Sequence, residues 1–173
     1  MEMRVAAFCA FAAGLGLVPT PVGQGPRYRP APDGPARQRT QCTRAPLRAG
    51  ARVHLELFAN RRVVVVPAGI GVERPRLRLG RVVAASCRTR LWTLDPSGVV
   101  RYEGAATLAD VFATWGRVLG PRRLLTFHGR VRAWVNGRPR TGDPRRLRLR
   151  DRDEVVLEVG GLVPPHRSFR FPP

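Results

Sequence analysis

Three cysteines and three histidines are the side chains of this 173-residue chain best suited to nucleophilic or transition-metal chemistry. Cys9 lies in an apolar N-terminal run, and Cys42 stands in a Pro- and Arg-rich stretch. Cys87 heads the segment Cys87-Arg-Thr-Arg-Leu-Trp-Thr-Leu-Asp-Pro-Ser-Gly-Val-Val-Arg-Tyr-Glu103. No Cys-x-x-Cys pair exists, so zinc-knuckle and thioredoxin-type chemistry lack their ligand spacing. His54, His128 and His166 are isolated from one another, and no Ser/His/Asp or Cys/His arrangement can be placed. Cross-linking is the chemistry left to the thiols. Without the N-terminal run, Cys42 and Cys87 remain, and two cysteines in an exported protein most often pair. That bond would close about 45 residues and stabilise the fold by about 4 kcal/mol through lost chain entropy. Two unrelated reduced thiols are the alternative.

The other chemistry on offer is ionic. There are 31 basic residues against 12 acidic ones, a formal net charge of +19. That balance suits nucleic acid, anionic lipid or acidic polysaccharide. Every basic residue is arginine and lysine is absent. Phosphate accepts either cation, so excluding lysine is also what a GC-rich genome leaves wherever a positive charge is tolerated. The densest run comprises Arg130, Arg132, Arg138, Arg140, Arg145, Arg146, Arg148 and Arg150, with Trp134 interleaved. On strands, alternate arginines share a face, and such a stripe could track phosphates or an anionic polysaccharide. The opposing reading is a solvated outer face behind Leu147 and Leu149. The loop Pro67-Ala-Gly-Ile-Gly71 is followed by no Lys-Ser/Thr and no helix pattern, so it reads as a turn and not a phosphate cradle.

The elements that must position these groups are legible in places. Asp95-Pro-Ser-Gly98 fits a four-residue turn between extended arms, predicting a hairpin. Thr107 and Asp110 form a capping box ahead of Leu108, Val111, Phe112 and Trp115, which share one helical face, and Gly116 is a natural stop. Val53, Leu55 and Leu57 alternate with polar or bulky neighbours as in a strand. Ala59-Asn-Arg-Arg62 turns this strand back into a β-branched run at 63–66. Residues 73–80 read as charged and irregular. Further strands are expected at 124–127 and 131–135. Asn136-Gly137 marks a hairpin, Gly142-Asp-Pro144 a turn, and a last strand runs over 154–159 with Val155, Leu157 and Val159 on one face. The sum is an α+β fold: a small mixed β-sheet with one amphipathic helix in β-grasp-like order, plus an additional N-terminal β-hairpin. Fold analogy of this kind carries no function.

Outside that domain, residues 1–25 resemble a signal peptide. Arg4 precedes an unbroken run of apolar and glycine residues over 5–18, long enough for a signal core and short for a membrane span. No Ala-x-Ala follows, Glu2 is unusual in a leader, and Cys9 lacks a lipobox. A cytoplasmic protein with an apolar start is therefore the alternative to an extracytoplasmic one. Residues 26–50 read as a Pro/Arg-rich linker that cannot bury enough surface to offset its chain entropy. Residues 51–163 form a single β-rich domain, and residues 164–173 a Pro-rich tail that packs along the surface or frays.

The segments His54-Leu-Glu-Leu-Phe-Ala-Asn60, Pro67 to Gly71, Cys87 to Glu103, Val131-Arg-Ala-Trp-Val-Asn-Gly137 and Thr141-Gly-Asp-Pro144 occur in one order. This series resembles a family of uncharacterised exported bacterial proteins of actinobacterial type, over most of residues 42–165. The family's central segment typically reads Cys, a short spacer, then Leu-His-Thr-His-Asp-x-Ser-Gly-x-Ile-His-x-Glu, and an upstream segment reads His-x-His-Leu. Several imidazoles on adjacent strands with an acid nearby would suit copper or zinc. In this chain Trp92, Leu94 and Arg101 stand at the central histidine positions and Arg52 at the first upstream one. Only His54 remains, while Asp95, Ser97, Gly98 and Glu103 match.

The resemblance thus implies a member of a metal-binding-type family that has lost its histidine ligands. His54, Asp95 and Glu103 are the remnant that could still bind a cation or do acid–base work. Against that, Asp95 starts a turn, Glu103 has arginines nearby, and His54 sits on a strand face. The expectation is a non-catalytic exported structural or binding domain with no cofactor and no assigned partner. Arginine-rich polyanion binding is the alternative, and a cryptic metal-dependent enzyme the second. The spatial relation of positions 52, 54, 92, 94 and 101 discriminates among these.

Overall fold

The computed structural model describes residues 41–172. The expected leader with Cys9, and the first part of the expected linker, lie outside the described residues. The alternating stretch forms β1 (Ala51–Ala59). Asn60 and Arg61, both at positive φ, turn it into β2 (Arg62–Val64), with Ala59 opposite Arg62. Positive φ at both central residues matches the right-handed twist of the flanking strands.

Short strands follow: β3 (Val72–Glu73), β4 (Arg76–Arg78), β5 (Arg81–Ala84) and β6 (Cys87–Arg88). The stretch 73–80, expected to be irregular, is instead half of a β4–β5 hairpin. Its charges do not prevent pairing, because all three residues of β4 face solvent. β7 (Leu91–Thr93) and β8 (Val99–Tyr102) pair around the Asp95–Gly98 turn, as the sequence indicates. Helix α1 (Leu108–Trp115) starts from the Thr107/Asp110 capping box and ends at Gly116 in the left-handed conformation. A small sheet of β9 (Leu119–Gly120), β10 (Arg123–Leu124) and β11 (Phe127–His128) follows. Then come β12 (Val131–Val135), β13 (Arg138–Arg140), a 3-10 turn at Pro144–Arg146 and β14 (Glu154–Val159).

The main sheet runs β13-β12-β14-β1-β8-β7, with β2 also paired to β1. β1 and β14 are parallel, and the other pairings are antiparallel. The fold is therefore strand-rich α+β, a mixed sheet with one helix. β1, expected within an accessory hairpin, lies inside this sheet. β14 flanks it on one side. On the other, β8 pairs with residues 51–54 and β2 with residues 57–59.

The two faces of the sheet differ in kind. Val53, Leu55, Leu57, Val100, Tyr102, Val155, Leu157 and Val159 pack with Leu108, Val111 and Phe112 of α1 in the main core. Alternation turns Arg52, His54, Glu56 and Phe58 of β1 to the opposite face. There Phe58, Trp134 and Val156 make a second apolar cluster under Val163, and Phe169 stacks on His54. The C-terminal segment therefore crosses the face that the helix leaves open. All six residues of β14 are buried, including Glu154 and Glu158 on the face opposite Val155, Leu157 and Val159, because the sheet is covered on both sides. The expected linker also does not extend to Gly50: residues 43–50 are docked, with Thr43 paired to Arg88 and the Leu47 and Arg48 carbonyls accepting from Trp92 and Arg101.

Candidate functional site

Strand register answers the question of convergence. Arg52 lies opposite Arg101 across β1 and β8, and Trp92 lies opposite Arg101 across β7 and β8. His54, two residues from Arg52, shares its face and pairs with Val99. Leu94, just past β7, lines the same cleft as Val99 and Arg101. These positions thus occupy one side of three adjoining strands. Packing groups fill them. Trp92 is fully buried, and its Nε1 donates to the Leu47 carbonyl at 2.8 Å. The Arg88 guanidinium lies 3.7 Å from the Trp92 ring centroid. Arg88 is itself buried; it donates twice to Glu103, at 3.1 and 2.5 Å, and once to the Pro46 carbonyl. The Cys42–Cys87 disulfide, with Cα atoms 5.5 Å apart, ties the docked segment beside them.

The expected remnant does not assemble. Asp95 is held by Arg81 at 2.8 Å and by the Ser97 hydroxyl and backbone N–H. Burial opposes ionisation of Asp95, but the Ser97 and Arg81 hydrogen bonds prevail and hold its carboxyl below the usual range. Glu103 is also held low, chiefly by its hydrogen bonds from Arg88. Both are committed to local pairs, and neither contacts His54.

The partner of His54 is Glu154, directly opposite on the parallel strand β14. His54 Nδ1 lies 2.7 Å from Glu154 Oε2, and Nε2 lies 2.7 Å from the Ser97 carbonyl. A carbonyl can only accept, so Nε2 carries a proton. Gly98 makes this approach possible: it sits at φ 85°, and a Cβ there would lie 2.7 Å from the Leu55 carbonyl and 3.0 Å from the His54 ring. Glu56, two residues along β1, accepts from or shares a proton with His166 Nδ1 at 2.8 Å. Burial raises the Glu154 pKa, and the neighbouring Glu56 charge adds to the rise, against the pull of His54. The sequence carried no signal for Glu154, because its partner is 100 residues away.

The arginine stripe divides. Trp134 is buried in the second apolar cluster and offers no stacking surface, a correction to its expected role. Arg132 pairs with Glu158 and donates to the Gly160 carbonyl, and Arg145 pairs with Asp143. Arg140, Arg146, Arg148 and Arg150 line a cleft of about 460 Å3 together with Asp143 and Asp153. Arg130 and Arg138 are exposed and outside that lining. The register turns Arg132 toward the tail side with Trp134, so the eight arginines do not form one continuous stripe.

A larger cleft, about 940 Å3, lies elsewhere, between the docked segment and the β5 and β7–β8 region. Arg44, Arg48, Arg81 and Arg101 line it, and Asp95 is the carboxylate among them. Burial lowers the Arg101 pKa, and Arg52, Arg48 and Arg81 lower it further, with Asp95 opposing. Nothing in the local sequence pattern joins these four arginines, which come from three separated segments.

Comparison with protein-family profiles, curated proteins and solved structures finds no match to this chain.

Proposed function

We propose that this chain is a non-catalytic extracytoplasmic binding domain whose arginine-lined cleft holds a multiply charged anion, such as the phosphate or sulfate groups of a polymer. The observation that carries the reading is the convergence of Arg44, Arg48, Arg81 and Arg101 on one concave surface whose carboxylate, Asp95, is already matched by Arg81. Like charges crowded around a half-buried guanidinium cost free energy in the empty cleft, and an anion relieves that cost. Guanidinium groups bind phosphate and sulfate oxygens through paired N–H donors. The Cys42–Cys87 bond supports an oxidising compartment. The parallel first and last strands, with the helix between the antiparallel arms, support a β-grasp-like order. The resemblance to exported bacterial proteins is consistent with both.

Fluorescence anisotropy with labelled heparin oligosaccharide and inorganic polyphosphate tests this. The Arg48→Ser/Arg81→Ser double variant is expected to weaken binding by about tenfold or more, the equivalent of ~1.4 kcal/mol. Affinity should also fall with added salt. An Arg130→Ser/Arg138→Ser control should stay within about twofold of the parent, since exposed charges outside the site contribute little. Binding that ignores salt, or that survives the double variant unchanged, overturns the proposal.

A further inference from the structure

We propose a divalent transition-metal site, suited to zinc, formed by His54, Glu56 and Glu154 under the C-terminal segment, with His166 as its fourth ligand. It involves different side chains from the arginine cleft and stands or falls separately.

The three strand residues each offer a ligand atom, and these atoms all lie within 4.8 Å of one another. His54 and Glu56 share a face of β1, and Glu154 faces His54 from β14. Two further observations point to a ligand. First, the His54 ring is set as a metal ligand's is. Nε2 donates to the Ser97 carbonyl, so Nδ1 is the ring atom that faces Glu154. A ligating histidine is ordinarily fixed by just such a bond from its other nitrogen. Second, Glu154 is completely buried, yet its Oε1 has no hydrogen-bond partner. A buried carboxylate oxygen without a partner is costly, and a cation supplies the missing one.

The fourth group comes from the tail. His166 Nδ1 is 2.8 Å from Glu56, and Phe169 stacks on the His54 ring at 3.7 Å; His166 is half exposed and outside the three-residue group, and would swing inward to ligate. Arg52, on the same face of β1, is engaged elsewhere: it donates to the Pro172 carbonyl at 2.5 Å and stacks over Phe171. Two nitrogens and two carboxylates make a neutral site for zinc, with metal–ligand distances of about 2.0–2.2 Å. The 2.7 Å His54–Glu154 contact must open by about 0.6 Å to reach the ~3.3 Å ligand–ligand separation of a tetrahedral zinc site. The proton held between Nδ1 and the carboxyl leaves as metal enters. Binding would also fasten the tail, since one ligand belongs to it.

The test is calorimetric titration of zinc into full-length, chelator-treated protein, alongside thermal unfolding. One zinc per chain is expected, with a dissociation constant below about 1 µM and a concentration-dependent rise in melting temperature. Magnesium at the same concentration should give neither. Glu56→Gln should weaken zinc at least 100-fold, and His166→Ala about tenfold. Both sites are at the edge of the cluster, so both variants should fold, as far-UV circular dichroism will show. Glu103→Gln should leave zinc binding unchanged. Absence of stoichiometric zinc binding, or equal binding by Glu56→Gln, overturns the proposal.

Discussion

Arg88 shows how far a single side chain's role can lie from its type. In a chain with 31 basic residues it has no distinguishing context. In the fold it is buried, stacked on Trp92 and forked onto Glu103, and it donates to the Pro46 carbonyl of the docked segment. Lysine keeps the charge but loses the planar fork and the stack. Arg88→Lys should therefore lower stability by about 2–4 kcal/mol, near the cost of breaking one side of a buried pair. Glu103 is about half exposed, so it can be solvated when its partner goes. Glu103→Gln instead leaves the buried Arg88 guanidinium without its counter-charge, while the amide oxygen, the Pro46 carbonyl and the Trp92 ring still hold it, and should cost about 1–2 kcal/mol. Urea unfolding of the two variants measures the difference, and equal losses would show that the carboxylate, not the stack, holds Arg88. His54 teaches the same lesson: its residue type was visible as a candidate, but both of its actual partners come from elsewhere in the chain.

Elements were the most legible scale. The helix, its cap and its stop follow from local spacing, as do the hairpins at Asp95–Gly98 and Asn136–Gly137, because each is decided by residues within one turn of chain. In the capping box, Thr107 accepts from the Asp110 backbone, and Asp110 accepts from the Thr107 backbone and hydroxyl. Thr107→Ala should cost about 1 kcal/mol. Burial disfavours the Asp110 carboxylate, but the Thr107 hydrogen bonds and Arg90 outweigh this and lower its pKa. A depressed carboxyl pKa contributes stability that is present above the unfolded value and is lost as pH falls through the folded one. The gap in stability between the parent and Asp110→Asn should thus be full at neutral pH and close as pH drops below about 3.8, the unperturbed value. Unfolding curves at stepped pH check this; a gap that widens in acid contradicts it. The β4–β5 hairpin escaped sequence reading because its strands have no buried alternation to announce them: β4 is exposed throughout.

At the scale of the whole molecule, the parallel pairing of β1 with β14 and the wrapping of both ends around the sheet organise everything else. The disulfide spans 45 positions and holds the docked segment onto β6, beside β7 and β8, whose Trp92 and Arg101 donate to its carbonyls. Reduction, or Cys42→Ser, should lower stability by about 2–4 kcal/mol, part of it chain entropy. It should also loosen one wall of the arginine cleft, because Arg44 and Arg48 ride on that segment. Denaturation with and without reductant measures the first effect, and anion titration of the reduced protein measures the second. A reduced protein with unchanged stability would show that docking needs no tether. No helix among the described residues is long and apolar enough to cross a membrane.

The sequence by itself determined most of the local elements and the mixed strand-and-helix class, and favoured the pairing of Cys42 with Cys87, because alternation, capping and cysteine count are short-range or purely combinatorial signals. The positions 52, 54, 92 and 101 that one sheet face brings together were singled out by the family resemblance and not by the residues' own chemistry. Only the tertiary structure decided that β1 lies inside the sheet, that Glu154 meets His54, and that four arginines from three segments line one cleft. Those outcomes depend on pairings between residues up to 100 positions apart, and on a tail covering the face the helix leaves bare. Strand periodicity tells which side chains share a face, but it cannot tell which distant strand will lie alongside.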